Sequence, residues 1–232
     1  MNIIDYFSYL LKSNSLLDIL KKKNYLESDK ISFDGDFVIY KIVTTGYNKK
    51  NDGVIKIIAK KISGKKEVGS FSEYVNTKKP ISFEIKDKTG VTQKNVDDAL
   101  PLKDVLTKFN DFIDGAKLVT IERDSTWKLN ELFKEYGIGD RHIYIDFIML
   151  AKLYLKELKV ATISAIAKEL KVNSNITKDK ITGKKKKVLN IDENLALVSE
   201  SFINMLMKLN VDYEIDNINQ LKDKLIISDD YI

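Results

Sequence analysis

Phe37-Val38-Ile39-Tyr40-Lys41-Ile42-Val43-Thr44-Thr45-Gly46 is the stretch that decides the fold. From Phe37 to Val43 every residue except Lys41 is apolar or aromatic. A run of this length without polar alternation reads as a strand buried on both faces, and Thr-Thr-Gly reads as the turn that closes it.

Outward from that strand, Asp34-Gly35 gives a turn signal on its N-terminal side. Residues 1–35 read as a helical extension. Ile3, Ile4, Phe7, Leu10 and Leu11 form one stripe at helical spacing, and Leu16, Leu17 and Leu20 begin a second. That apolar surface predicts burial against the domain or against a protein partner. On the C-terminal side, Asn51-Asp52-Gly53 is a turn, Val54 to Ile62 a second strand, and Glu67 to Val75 a third. Short connections predict an antiparallel meander.

Further along, Val105, Leu106, Phe109, Phe112 and Ile113 mark a helix, and Leu118-Val119 a short strand. A helix is predicted from Ser125 to Tyr136, a strand from His142 to Phe147, and helices over Ile148 to Leu158 and Ala161 to Leu170. The last long helix carries Leu195, Val198, Phe202, Met205, Leu206 and Leu209 on one face. Residues 211–232 read as a tail with one short amphipathic piece around Ile218 to Ile227.

Several motifs in this order resemble those of the DnaQ-like (DEDD-type) 3′–5′ exonuclease family, to which proofreading exonucleases belong. Its first strand ends in Asp-x-Glu-Thr-Thr-Gly, which Lys41-Ile42-Val43-Thr44-Thr45-Gly46 matches in frame. Val75-Asn76-Thr77-Lys78-Lys79-Pro80-Ile81 and Thr89-Gly90-Val91-Thr92 resemble its Asn-Pro-x-x-Pro-Ile and Thr-Gly-Ile-Thr segments. Asp146 matches the Asp of its Ile-Asp-Thr. The resemblance covers roughly residues 36–210 and implies a ribonuclease H-like α/β fold: a mixed central sheet, with an antiparallel meander then parallel strands, flanked by helices. Residues 1–35 and 211–232 flank that domain as extension and tail.

The chemistry implied by the resemblance is two-metal hydrolysis of a terminal phosphodiester, with four carboxylates holding the metals. In this chain Lys41 stands at the first carboxylate position and Val43 at the second. Counting back from Gly137 places Ser125 at the third, with Asp124 one residue away. The apolar face of the last helix places Asn194 at the fourth and Leu189 at the general-base His. Glu122 and Asp124 are the carboxylates that would survive near the site. Asp192 and Glu193 are expected to point away from the direction of Asn194, because successive helical residues are turned by about 100°.

No catalytic residue and no metal site are therefore expected, and no cofactor. Mg²⁺ or Mn²⁺ enters only if the ligands are rearranged. The implied role is a degenerate homologue that acts as a nucleic-acid-binding or protein-partner module. Two alternatives stand beside it, an active metal-dependent exonuclease with rearranged ligands and a structural subunit of a replication or repair assembly. Candidate contacts for single-stranded nucleic acid are Lys41, Thr44, Thr45, Trp127 and the run Lys184, Lys185, Lys186 and Lys187. Tyr47, Phe71 and Tyr74 join Trp127 as aromatics that would stack on bases.

Composition is consistent with this reading. The chain has 232 residues, a net charge of +5 and no cysteine. Its pI of about 9.0 permits contact with phosphate backbones. The absence of cysteine excludes disulfides and thiolate metal sites. No apolar run approaches the roughly 18 residues of a membrane span, and no signal peptide is read, so the expected location is cytoplasmic with no membrane partner.

Overall fold

A computed structural model describes residues 35–48, 51–139, 142–172, 191–217, 220–221 and 226–227. Their centre is the sheet organised by the apolar stretch. β1 (Phe37–Thr44) pairs antiparallel with β2 (Val54–Ser63), and β2 with β3 (Lys66–Tyr74), which is the meander the short turns predict. β4 (Lys117–Thr120) and β5 (Tyr144–Asp146) continue in parallel from β1, and β6 (Ile226–Ile227) closes the far edge antiparallel to β5. The spatial order is β3-β2-β1-β4-β5-β6.

Alternation along β1 separates two cores. Val38, Tyr40 and Ile42 face α3 (Leu102–Ile113) and α4 (Arg123–Tyr136), where they meet Val105, Phe109, Leu129 and Phe133. Phe37, Ile39 and Val43 face the other way, toward α5 (Phe147–Tyr154), α6 (Ile163–Glu169) and α7 (Ile191–Tyr213). Phe202 of α7 anchors that side, with ring centroids 5.2 Å from Phe37 and 5.7 Å from Phe147. Two short helices, α1 (Phe83–Thr89) and α2 (Gln93–Asp97), contribute Ile85 and Val96 to the same core.

Boundaries differ from the sequence expectation where side chains intervene. The strand read over His142 to Phe147 shortens to Tyr144–Asp146, because the Asp146 carboxylate accepts from the Met149 backbone N–H at 2.9 Å and starts a helix at Phe147. The helix expected to reach Leu158 ends at Tyr154, and the next begins after the Thr162 cap. α1 and α2 were not anticipated, being too short to show a period. Within the stretch read as a tail, Ile215 and Leu221 are buried and Ile226–Ile227 adds a strand.

The predicted helices of residues 1–34, the lysine run 184–187 and Leu189 lie outside the described residues.

Candidate functional site

The turn closing β1 is a compact hydrogen-bonded unit. The Thr45 hydroxyl, 3% exposed, donates to Asp52 Oδ1 at 3.2 Å and accepts from the Gly53 N–H. The Thr44 hydroxyl donates to the Gly46 carbonyl at 2.8 Å. Gly46 has no room for a side chain, since a Cβ there would meet Asp52 Oδ2 at 2.8 Å. Both threonine hydroxyls thus brace the turn that ends the strand. The Thr45 carbonyl accepts from the Ser82 N–H and ties the turn to α1. Beside it stand two exposed aromatics, Tyr47 at 64% and Phe83 at 79%, with the Lys88 ammonium 5.7 Å from the Tyr47 ring.

Lys41 shares a strand face with Phe37, Ile39 and Val43, directed at α7. Its ammonium donates to Glu122 Oε1 at 2.9 Å. Glu122 is the N-cap of α4, and its other carboxylate oxygen accepts from the buried Ser125 hydroxyl at 3.4 Å. The structure therefore brings Lys41, Glu122 and Ser125 together. The next residue, Thr126, serves the opposite core, where it accepts from the Tyr40 hydroxyl at 3.3 Å. Burial holds the Tyr40 hydroxyl well above its ordinary range, the hydrogen bonds to Thr126 and Thr120 opposing it only in part. Asp124 lies exposed in the first turn of α4, where its charge suits the helix dipole, and Trp127 is half-buried on the same helix.

A second lysine enters from β2. Lys56 lies directly opposite Val43 in the antiparallel ladder, so it shares the face of Val43 and Lys41. Its side chain is only 9% exposed, with the ammonium 5.1 Å from the Tyr74 ring and 3.6 Å from Asp192 Oδ1. Asp192, in the first turn of α7, is 69% exposed, and the long Lys56 arm reaches it.

Asn194 sits on the α7 stripe that includes Ile191, Leu195 and Val198. From Phe202, which packs on Phe37, back to Asn194 the helix rises about 12 Å. Asp192, two residues before Asn194, is the α7 residue that the Lys56 arm reaches. The Asn194 carboxamide oxygen is buried and accepts no hydrogen bond among the described residues.

The remaining sequence candidates sit elsewhere. Phe71 packs on Phe109 and Phe112 beneath α3, so it belongs to the opposite core. Tyr74 lies under Lys56. His142, half-buried at the opposite end of the sheet, packs on Phe133 and Tyr144. Lys56 and Phe83 were missed in the sequence. A lysine within Val54-Ile55-Lys56-Ile57-Ile58 was the available signal for the first, and an aromatic just after the helix cap Ser82 for the second.

A model of the exonuclease family matches residues 44–177. The chain belongs to the exonuclease family. Among curated relatives, DNA polymerase III PolC-type of Caldanaerobacter subterraneus subsp. tengcongensis is 32% identical over 179 residues, covering 77% of this chain and 12% of that protein. The PolC-type polymerase of Clostridium perfringens is 30% identical over 145 residues, 61% of this chain and 10% of that one. This exonuclease-family chain thus matches only about a tenth of each relative's length. Solved structures agree in fold: a 3′-exonuclease recognising the histone mRNA stem-loop has a TM-score of 0.61 at 14% identity, over 93% of this chain and 78% of that one. Cell-death related nuclease 4 has a TM-score of 0.58 at 17% identity, over 75% and 64%. The ribonuclease H-like, DnaQ-type assignment and its link to DNA replication proteins follow from these likenesses.

The metal pair that the family resemblance implies requires several carboxylate oxygens converging on one spot. The described residues near the C-terminal end of β1 offer the Lys41 and Lys56 ammoniums, the Asn194 carboxamide, and the carboxylates of Glu122 and Asp192, each engaged by a lysine. That donor set does not fit a pair of divalent cations. Among the described residues no group of three or more His, Asp or Glu side chains is placed to hold one. Nor is any described helix long and apolar enough to cross a membrane.

Proposed function

We propose that this exonuclease-family chain binds single-stranded nucleic acid in the cleft at the C-terminal end of β1 without hydrolysing it. The observation that carries this reading is the Lys41–Glu122 ion pair, 2.9 Å long, at the strand position matching the family's first metal ligand. An ammonium fixed there opposes a divalent cation by direct repulsion and occupies the nearest carboxylate. Activation of a water by metal then has no support at this site. Positive charge next to a nucleic-acid cleft still favours phosphate, and the exposed rings of Tyr47 and Phe83 at its rim suit stacking on bases.

In this reading the chain works in the cytoplasm, and the apolar stripe of residues 1–35 serves a protein partner. A pull-down with and without those residues tests the second point. End-labelled single-stranded DNA and RNA, incubated with the protein and Mg²⁺ or Mn²⁺, test the first. The labelled strands should stay at full length while shifting in a native gel. Stepwise shortening that disappears in Glu122→Gln would support the alternative, an active exonuclease with rearranged ligands.

A further inference from the structure

Lys56 poses a problem that folding does not answer. Its neighbours on β2 are isoleucines, and another aliphatic side chain would fill the same space. Instead a lysine side chain is 9% exposed, its ammonium facing a carboxylate that is 69% exposed and 3.6 Å away. A half-solvated pair of this length adds little to stability. Withdrawing an ammonium from water costs more than that. The cation–π contact with Tyr74 offsets a further part. Lys41 repeats the pattern one step along the same face: a cation in an apolar strand, 20% exposed, paired with the half-exposed Glu122. Two residues along α7 from Asp192, the Asn194 carboxamide oxygen is buried with no donor among the described residues. A buried acceptor without a donor is a cost of its own, and it marks a place where a ligand's hydroxyl or N–H would be accepted.

We infer that Lys41 and Lys56 form a metal-independent site for a nucleic-acid phosphate, with Asn194 accepting a hydrogen bond from the attached nucleoside. The inference rests on the nucleic-acid reading above and names the site and its chemistry. The two lysines are diagonal neighbours on adjacent antiparallel strands, since Val43 is opposite Lys56 and Lys41 is two residues before Val43. Diagonal neighbours stand about 7–8 Å apart at the backbone. The Lys41 arm leans to Glu122 beside β4 and the Lys56 arm to Tyr74 on β3, and in this proposal both swing inward to one phosphate. Both counter-ions yield readily: Glu122 and Asp192 are 47% and 69% exposed, and water solvates them once the lysines turn to phosphate. In this chain covalently attached cations therefore neutralise the phosphate.

The test measures binding of a fluorescent single-stranded DNA by anisotropy in excess EDTA, with thymidine monophosphate as a separate ligand. Binding should persist in EDTA. Lys41→Met and Lys56→Met should each weaken it about tenfold, the scale of one charge-assisted hydrogen bond. Each should also lower the salt slope by about one. Lys56→Arg should retain most affinity, and Asp192→Asn, which frees Lys56 and alters only an exposed side chain, should tighten it. Abolition by EDTA, or wild-type affinity in both methionine variants, would overturn the site. DNA binding that survives both methionine substitutions places the contact elsewhere and leaves the broader reading standing. Monophosphate binding that needs both lysines, without DNA binding, keeps the site and removes the nucleic-acid reading. Failure of both ligands overturns both.

Discussion

The two faces of β1 are built from the same seven-residue run and solve different problems. Toward α3 and α4, Val38, Tyr40 and Ile42 are all buried, and the Tyr40 hydroxyl has Thr126 as its partner. Toward α7, Phe37 and Ile39 are as fully buried, yet two residues on the packing gives way to Lys41, Lys56 and an unsatisfied Asn194. The first face is closed in the way folding alone demands. The second carries Lys41 and Lys56 beside the buried Val43, with exposed counter-ions. In the reading proposed above, this charge meets a ligand.

Substitutions that separate the two ends of the second face sharpen this contrast. Phe202→Ala removes the ring wedged between Phe37 and Phe147, and should cost about 3–5 kcal/mol in denaturant-monitored unfolding. Asp146→Ala removes the cap of α5, with an expected loss of about 1 kcal/mol by the same measurement. On the first face, Tyr40→Phe gives up the hydroxyl's bond to Thr126, also with an expected loss of about 1 kcal/mol or less at neutral pH.

That variant has a second signature. The folded-state pKa of Tyr40 is raised, so its contribution is fully present below the ordinary tyrosine value and is lost as pH rises above it. Wild type should therefore lose stability above about pH 10 more steeply than Tyr40→Phe, compared by thermal melts across that range. The smallest effect belongs to the charged end. Lys41→Met and Lys56→Met should change stability by no more than about 1 kcal/mol, because the carboxylates they release are exposed to water. A loss as large as that of Phe202→Ala would make the lysines structural and erase the contrast.

Most of the fold was legible because its longest elements carry unambiguous periods. β1, β2, β3 and α3 are where apolar runs and stripes put them, and Thr-Thr-Gly ends β1 as its turn chemistry requires. Short elements were hidden: α1 and α2 span too few residues for a period, and β6 is two residues whose pairing depends on contacts far away in sequence. The site was half legible. Lys41 and Asn194 could be placed from frame and helical face alone. Lys56 could not, because only cross-strand register shows that it lies opposite Val43. Angular reasoning along the helix separates Asp192 from Asn194, but it does not show the reach of a lysine coming from another element. The threonines of the turn looked available for binding, but their hydroxyls are spent on the turn itself, which only the three-dimensional partners Asp52 and Gly53 reveal.

In the proposed reading, Lys41 and Lys56 take the electrostatic role of the divalent cations that the family resemblance implies. Titration of the full chain with Mn²⁺, followed by electron paramagnetic resonance of the free ion, tests this without reference to activity. The free-ion signal should follow total Mn²⁺ from the first addition, in wild type and in Glu122→Gln alike. Saturable loss of that signal in wild type, abolished in Glu122→Gln or Asp192→Asn, would contradict it and restore a metal centre to this cleft.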